Sequence, residues 1–242
     1  MSAERCAQPG ALAGAGVEVA ATAMVLGYGV LLDRVLPELS HVPVNVAAAG
    51  LAVFLANRAG ASMDDMGLDP SRLASGLKLG LLTVAPIAAA VAVGLAVPWT
   101  REFFLDSDVV GASGARSIYE LLVRIPLGTA LAEELIFRGA LMGVFLKRRS
   151  PLVAALLSSA VFGVWHISPT LQSLSTNAGA ARAATGFWAG LGIVSGVVAV
   201  TAAAGAGLAW LRLRSGSIVA PWIAHTCLNS FAWLGGRIAN VM

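Results

Sequence analysis

The chain has 242 residues, of which 57% are hydrophobic and only 12% charged, with a mean hydropathy of +0.80. A soluble domain carries about 25% charged residues, so this composition excludes a water-covered globule, and apolar runs near the ~20 residues that cross a bilayer point to a membrane protein. The net charge of +3 comes from basic residues at the ends of apolar runs, without the aromatic and basic interleaving that binds single strands; nucleic acid is not an expected partner.

Seven spans are expected, within a range of six to eight, in an all-α polytopic bundle. The first runs from about Ala11 to Leu32 and includes a lone acid, Glu18, placed near the interface or facing the bundle. With that acid and one nearby basic residue, Arg5, the N-terminus does not read as a cleaved signal peptide. The second span covers about Val42 to Asn57 and the third Leu77 to Val97, followed by a polar stretch from Pro98 to Ser117. A fourth hydrophobic unit, Ile118 to Leu146, is interrupted by Arg124 and Pro126. Proline suits a first turn and breaks a helix interior, so an interfacial helix is expected up to Arg124 and a membrane helix from Pro126. Glu120 and Arg124, four apart, read as an interfacial pair. The fifth span is about Pro151 to Ile167, a loop is expected over Ser168 to Ala184, and the last two spans are Thr185 to Leu211 and Gly216 to Gly235.

Cys6 and Cys227 have neither metal-knuckle nor redox spacing and read as incidental thiols. Taking Lys147, Arg148 and Arg149 as cytoplasmic puts nine basic residues on that side and five (Arg34, Arg101, Arg116, Arg182 and Arg237) on the other. The positive-inside rule then favours a cytoplasmic N-terminus.

Ionisable groups inside apolar spans are costly and are functional candidates by default. Ala132 to Gly139 reads A-E-E-L-I-F-R-G. Glu134 and Arg138, four apart, share a helix face and can pair. Glu133 lies ~100° round the helix and has no partner there. A carboxylate in a low-dielectric cleft gains proton affinity, the property needed to take a proton from water. Phe162 and His166 share a face in F-G-V-W-H, and His225 and Asn229 do so in H-T-C-L-N. Helical rise puts Glu133, His166 and His225 roughly 20, 22 and 16 Å from the Lys147 side, which predicts one polar cavity. Glu, His and His also have the composition of a zinc set with an open position, although HExxH is absent.

The motifs E-E-x-x-x-R, F-x-x-x-H and H-x-x-x-N, in this order on successive helices, resemble the CAAX protease and bacteriocin-processing family, also called CPBP or Abi, which includes the type II prenyl endopeptidases. The resemblance covers about Arg116 to Gly236, and it implies a catalytic core over 116–236 preceded by helices without a recognised motif over 1–115. It implies an intramembrane endopeptidase in which Glu133 activates water with help from His166, while His225 and Asn229 stabilise the oxyanion. Glu134 and Arg138 would hold the site together and Phe162 would pack beneath it. Family members carry a metalloprotease label, so zinc on Glu133, His166 and His225 stays open beside a metal-free glutamate mechanism, which is favoured. The implied partners are a peptide or membrane-protein substrate and the bilayer, and the Ala- and Gly-heavy usage points to a bacterial membrane. Two rival classes are a small transporter, against which no inverted repeat is found, and a non-catalytic adaptor or immunity protein of the same family, in which Glu133 would be dispensable.

Overall fold

A backbone inside hydrocarbon must satisfy its own hydrogen bonds, which leaves helices or closed barrels. This chain takes the helical solution. The computed structural model describes residues 9–35, 37 and 40–242, with side chains from residue 14 onward except 33–35. The expectations for Arg5, Cys6 and the side chain of Arg34 lie outside the described residues. Apart from one isolated bridge between Asp106 and Asn177, all regular structure among the described residues is helical.

Three helices precede the motif region: α1 (Pro9–Val35), α2 (His41–Arg58) and α3 (Leu73–Ala96). Short turns at Pro98–Arg101, Glu102–Phe104 and Ser107–Val110 lead into α4, an unbroken helix over residues 114–146. There follow α5 (Pro151–Trp165), α6 (Ile167–Thr176), α7 (Ala178–Ala183), α8 (Phe187–Ser215) and α9 (Val219–Ala239). Local chemistry sets several boundaries. Ser150 caps α5 through its hydroxyl, with Pro151 in the first turn. Gly216 ends α8 at φ +71°, a left-handed position that costs a glycine nothing.

Four helical segments are long and apolar enough to cross a membrane: Gly14–Leu32, Pro70–Ala96, Pro151–Thr176 and Phe187–Ser215. The other long helices, α2, α4 and α9, carry the polar side chains that lower their hydropathy. α2 packs on α4, α3 on α9 and α8 on α5. At the α5–α8 contact, a Cβ at Gly163 would come within 2.6 Å of the Val198 carbonyl, the small-residue approach that lets membrane helices meet. Large apolar side chains such as Leu82, Val93, Leu122 and Val200 are exposed on the outside. The protein is an all-α polytopic bundle with an apolar outer surface, an integral membrane protein.

Basic residues gather at the two ends. At one end, Lys147 pairs with Asp65 at 3.2 Å, and Arg212 donates to the Asp64 carbonyl at 2.8 Å. At the other, Arg182 pairs with Glu102 and Arg237 donates to the carbonyls of Val109, Val110 and Ala112.

Two local expectations need correction, and a third is extended. The helix does not break at Pro126. The segment Glu120–Leu131 widens to i→i+5 hydrogen bonding, which absorbs a residue that has no N–H to donate, and the Pro126 carbonyl accepts from Trp222 Nε1 at 2.7 Å. The stretch Ser168 to Ala184 is not an open loop but holds α6 and α7, the second capped by the Asn177 side chain. Glu120 is more than half of an interfacial pair: it is fully buried and accepts from both Arg116 and Arg124. Glu18 faces the bundle and pairs with Arg149 at 2.7 Å.

Candidate active site

The Glu133–Glu134 pair sits in a short α-helical step, Ala132–Glu134, between two widened segments, Glu120–Leu131 and Leu135–Leu141. Widened turns of this kind recur at functional sites because they re-aim side chains within a continuous helix. Here the two neighbouring carboxylates enter different surroundings.

Glu134 is fully buried, and an unpaired carboxylate there would cost several kcal/mol. Its Oε1 accepts from Arg138 Nη1 at 3.0 Å and meets His225 Nδ1 at 2.8 Å. Arg138, also fully buried, stacks its guanidinium over the Phe162 ring at 4.1 Å. Gly205 of α8 leaves room for this arrangement, since a Cβ there would lie 2.9 Å from Arg138 Nη2. Phe162 also packs edge-on against both imidazoles, with ring centroids 4.5 Å from His166 and 6.0 Å from His225. One aromatic ring therefore spaces the two histidines and backs the arginine.

Glu133 points the other way. Its Oε2 is buried without a hydrogen-bond partner among the described residues, and lies 3.9 Å from His225 Nε2. That separation is too long for a direct hydrogen bond. Glu133 and His166 line a cavity of about 230 Å³, together with Thr129, Arg124, Asn45 and His41. His166 stands at the end of α5, where its Nδ1 lies 2.7 Å from the Phe162 carbonyl. A carbonyl only accepts, so Nδ1 carries the proton and Nε2 of the neutral ring is an acceptor. By the same logic, His225 Nδ1 donates to the Glu134 carboxylate, and its Nε2 is turned toward Glu133.

Of the residues singled out from sequence, Glu133, Glu134, Arg138, Phe162 and His225 form one contiguous cluster drawn from α4, α5 and α9, and His166 joins it through Phe162 and the cavity. Asn229 lies one turn beyond His225 on the same face of α9, half-buried and without a hydrogen bond to another described residue. Glu133, His166 and His225 do not assemble as a metal set: among the described residues no three His, Cys, Asp or Glu side chains come together to hold an ion. Nδ1 of each imidazole is held, by the Glu134 carboxylate and by a backbone carbonyl, which leaves Nε2 as the open ring atom of both histidines.

The sequence argument missed Asn45, His41 and Thr129 as cavity wall, and Tyr28, whose hydroxyl donates to Asn45 Oδ1. Asn45 had a signal, being an amide within an apolar span. Tyr28 and Thr129 carried none that distinguishes them from packing residues.

The result is a carboxylate–imidazole cluster sunk between helices of a membrane bundle, with an adjoining polar cavity. Residues 115–231 match the family model of type II CAAX prenyl endopeptidase Rce1-like proteins. The match contains the whole cluster, from Glu133 to Asn229. No curated protein and no solved structure matches the chain.

Proposed function

We propose that the protein is an intramembrane endopeptidase in which residues 116–236 carry the catalytic groups and Glu133 activates the attacking water. The observation that carries this reading is the buried, unpartnered Oε2 of Glu133, 3.9 Å from His225 Nε2, on a residue that lines the same cavity as His166. The cavity lined by both residues would hold the water between two acceptors, the Glu133 carboxylate and the His166 imidazole. Glu133 takes a proton from this water while its oxygen bonds to the scissile carbonyl carbon, and the carbonyl π pair moves onto oxygen.

The oxyanion needs donors placed in advance, usually a large part of catalysis. His225, held by the Glu134 carboxylate through Nδ1, supplies Nε2–H in its protonated form, and Asn229 supplies an amide N–H from the next turn. Glu134 and Arg138 act as positioning residues. Collapse of the tetrahedral intermediate breaks the C–N bond, and the proton held on Glu133 passes to the departing amine. One water is consumed, and one carboxyl and one amine are released. Every step uses the chain's own groups.

The substrate class is a peptide segment that reaches membrane depth. The test is comparative membrane proteomics of a strain carrying Glu133→Gln against its parent. Uncleaved precursors accumulating in the variant support the reading, and identical proteomes contradict it.

A further inference from the structure

We infer that Tyr28 of α1 and Asn45 of α2, both outside the family-matched segment, are positioning residues for the Glu133 carboxylate. The inference rests on the proteolytic reading for its catalytic consequence, though not for its geometry.

The widened segment of α4 has a wall-side carbonyl at Gly128, five residues before Glu133. Asn45 Nδ2 donates to this carbonyl at 2.8 Å across a helix–helix contact. Tyr28 then donates its hydroxyl to Asn45 Oδ1, which fixes the amide plane and leaves its N–H group aimed at Gly128. The approach of α2 is close: a Cβ at Gly128 would lie 2.6 Å from Val42 Cγ2. Val42 and Asn45, three apart on α2, therefore grip the Gly128 backbone between an apolar contact and a hydrogen bond. Tyr28 is itself steadied by Trp165, ring centroids 5.9 Å apart, immediately before His166. Asn45, Gly128, Thr129 and Glu133 all line the same cavity.

A widened helical turn has poorer hydrogen-bond geometry than an α-helix and persists where its surroundings hold it. In lipid no water can satisfy a carbonyl that is pulled out of register. The Tyr28–Asn45–Gly128 chain supplies that hold from two other helices, so it sets the register of the turn that presents Glu133 to His225. Misplacement of a reacting group by ~1 Å costs about 100-fold in rate. The helices without a recognised motif are thus part of the catalytic machinery rather than an anchor for it.

The experiment uses the full chain in proteoliposomes with Asn45→Ala, Tyr28→Phe and the double variant. Tyr28→Phe removes one oxygen only, and keeps the test alive should Asn45→Ala fail to fold. The first readout is backbone amide exchange over residues 128–133. It rises about 10-fold in Asn45→Ala, and to a lesser extent in Tyr28→Phe, while α8 is unchanged. The second is cleavage of a fluorophore–quencher peptide built on a segment that accumulates in Glu133→Gln membranes. Here kcat falls about 10- to 100-fold in Asn45→Ala with KM within about 3-fold. Adding Tyr28→Phe to Asn45→Ala changes neither readout further, since both act through one chain of bonds. Unchanged exchange over 128–133, or additive losses in the double variant, overturns the inference. Exchange that rises as stated in a protein without Glu133-dependent cleavage upholds the geometric hold and rejects the proteolytic reading instead.

Discussion

Replacing Arg138 by alanine tests the internal logic of the cluster without reference to any substrate. Arg138 and Glu134 are each fully buried, 3.0 Å apart. In the variant, Glu134 keeps the His225 imidazole but loses the permanent cation, and the Phe162 ring loses the guanidinium stacked at 4.1 Å. Breaking a buried pair by removing one partner costs about 3–5 kcal/mol, mostly because the other charge is stranded. For a chain of this size, each kcal/mol lowers the melting point by ~2–4 °C. The apparent unfolding midpoint of Arg138→Ala in detergent, followed by tryptophan fluorescence, should therefore fall by roughly 6–20 °C. Removing both charges in Glu134→Ala/Arg138→Ala should recover at least about 1 kcal/mol relative to the single variant, since no lone charge remains. Arg138→Lys should fall between, because an ammonium cannot offer the planar stack. A midpoint for Arg138→Ala within about 2 °C of the parent, or a double variant worse than the single, would refute the argument that Arg138 compensates Glu134.

Further expectations concern other parts of the fold. Gly205→Val should lower the midpoint by several degrees and reduce cleavage, because its Cβ would lie 2.9 Å from Arg138 Nη2 and 3.1 Å from Phe162 Cδ1 and overpacking costs ~1–3 kcal/mol; wild-type activity in this variant would contradict the packing described. At the loop end, burial alone would raise the Asp65 carboxyl, but bonds from the Ser62 backbone and hydroxyl and from Lys147 more than offset it and hold it below its ordinary value. A depressed carboxyl contributes stability fully above its ordinary value, and that contribution fades as pH falls through the folded-state value. The midpoint difference between parent and Asp65→Asn should thus be constant near neutrality and shrink below about pH 4; a difference that grows with acid would reverse the assignment.

The membrane class, the helical architecture and the polar motifs were legible because each is a local property. Hydropathy marked the apolar stretches, four of which are helical segments long and apolar enough to cross a membrane among the described residues, and four-residue spacing put Glu134 beside Arg138. What sequence alone could not supply was how the helices meet. Pro126 looked like a break because local rules cost a proline against an α-helix, whereas α4 changes its hydrogen-bond register and carries on. Ser168 to Ala184 looked like a loop because short polar helices with side-chain caps have no hydropathy signature. The commitment of His225 Nδ1 to Glu134 depends on the approach of α9 to α4. The cavity wall from α2 escaped for the same reason: Asn45 is legible as a buried amide, but its partner Gly128 lies 83 residues away.

The central claim is that the Glu133 carboxylate is the group that deprotonates water. Glu133→Gln keeps size and hydrogen-bonding capacity while removing the base, and Glu133 is not part of the Glu134–Arg138 pair, so folding should be spared. In purified, reconstituted protein the account predicts a fall in kcat of at least about 100-fold, the lower end of what general-base removal costs, with the unfolding midpoint within about 2 °C of the parent. Cleavage by Glu133→Gln at the parental rate would contradict it.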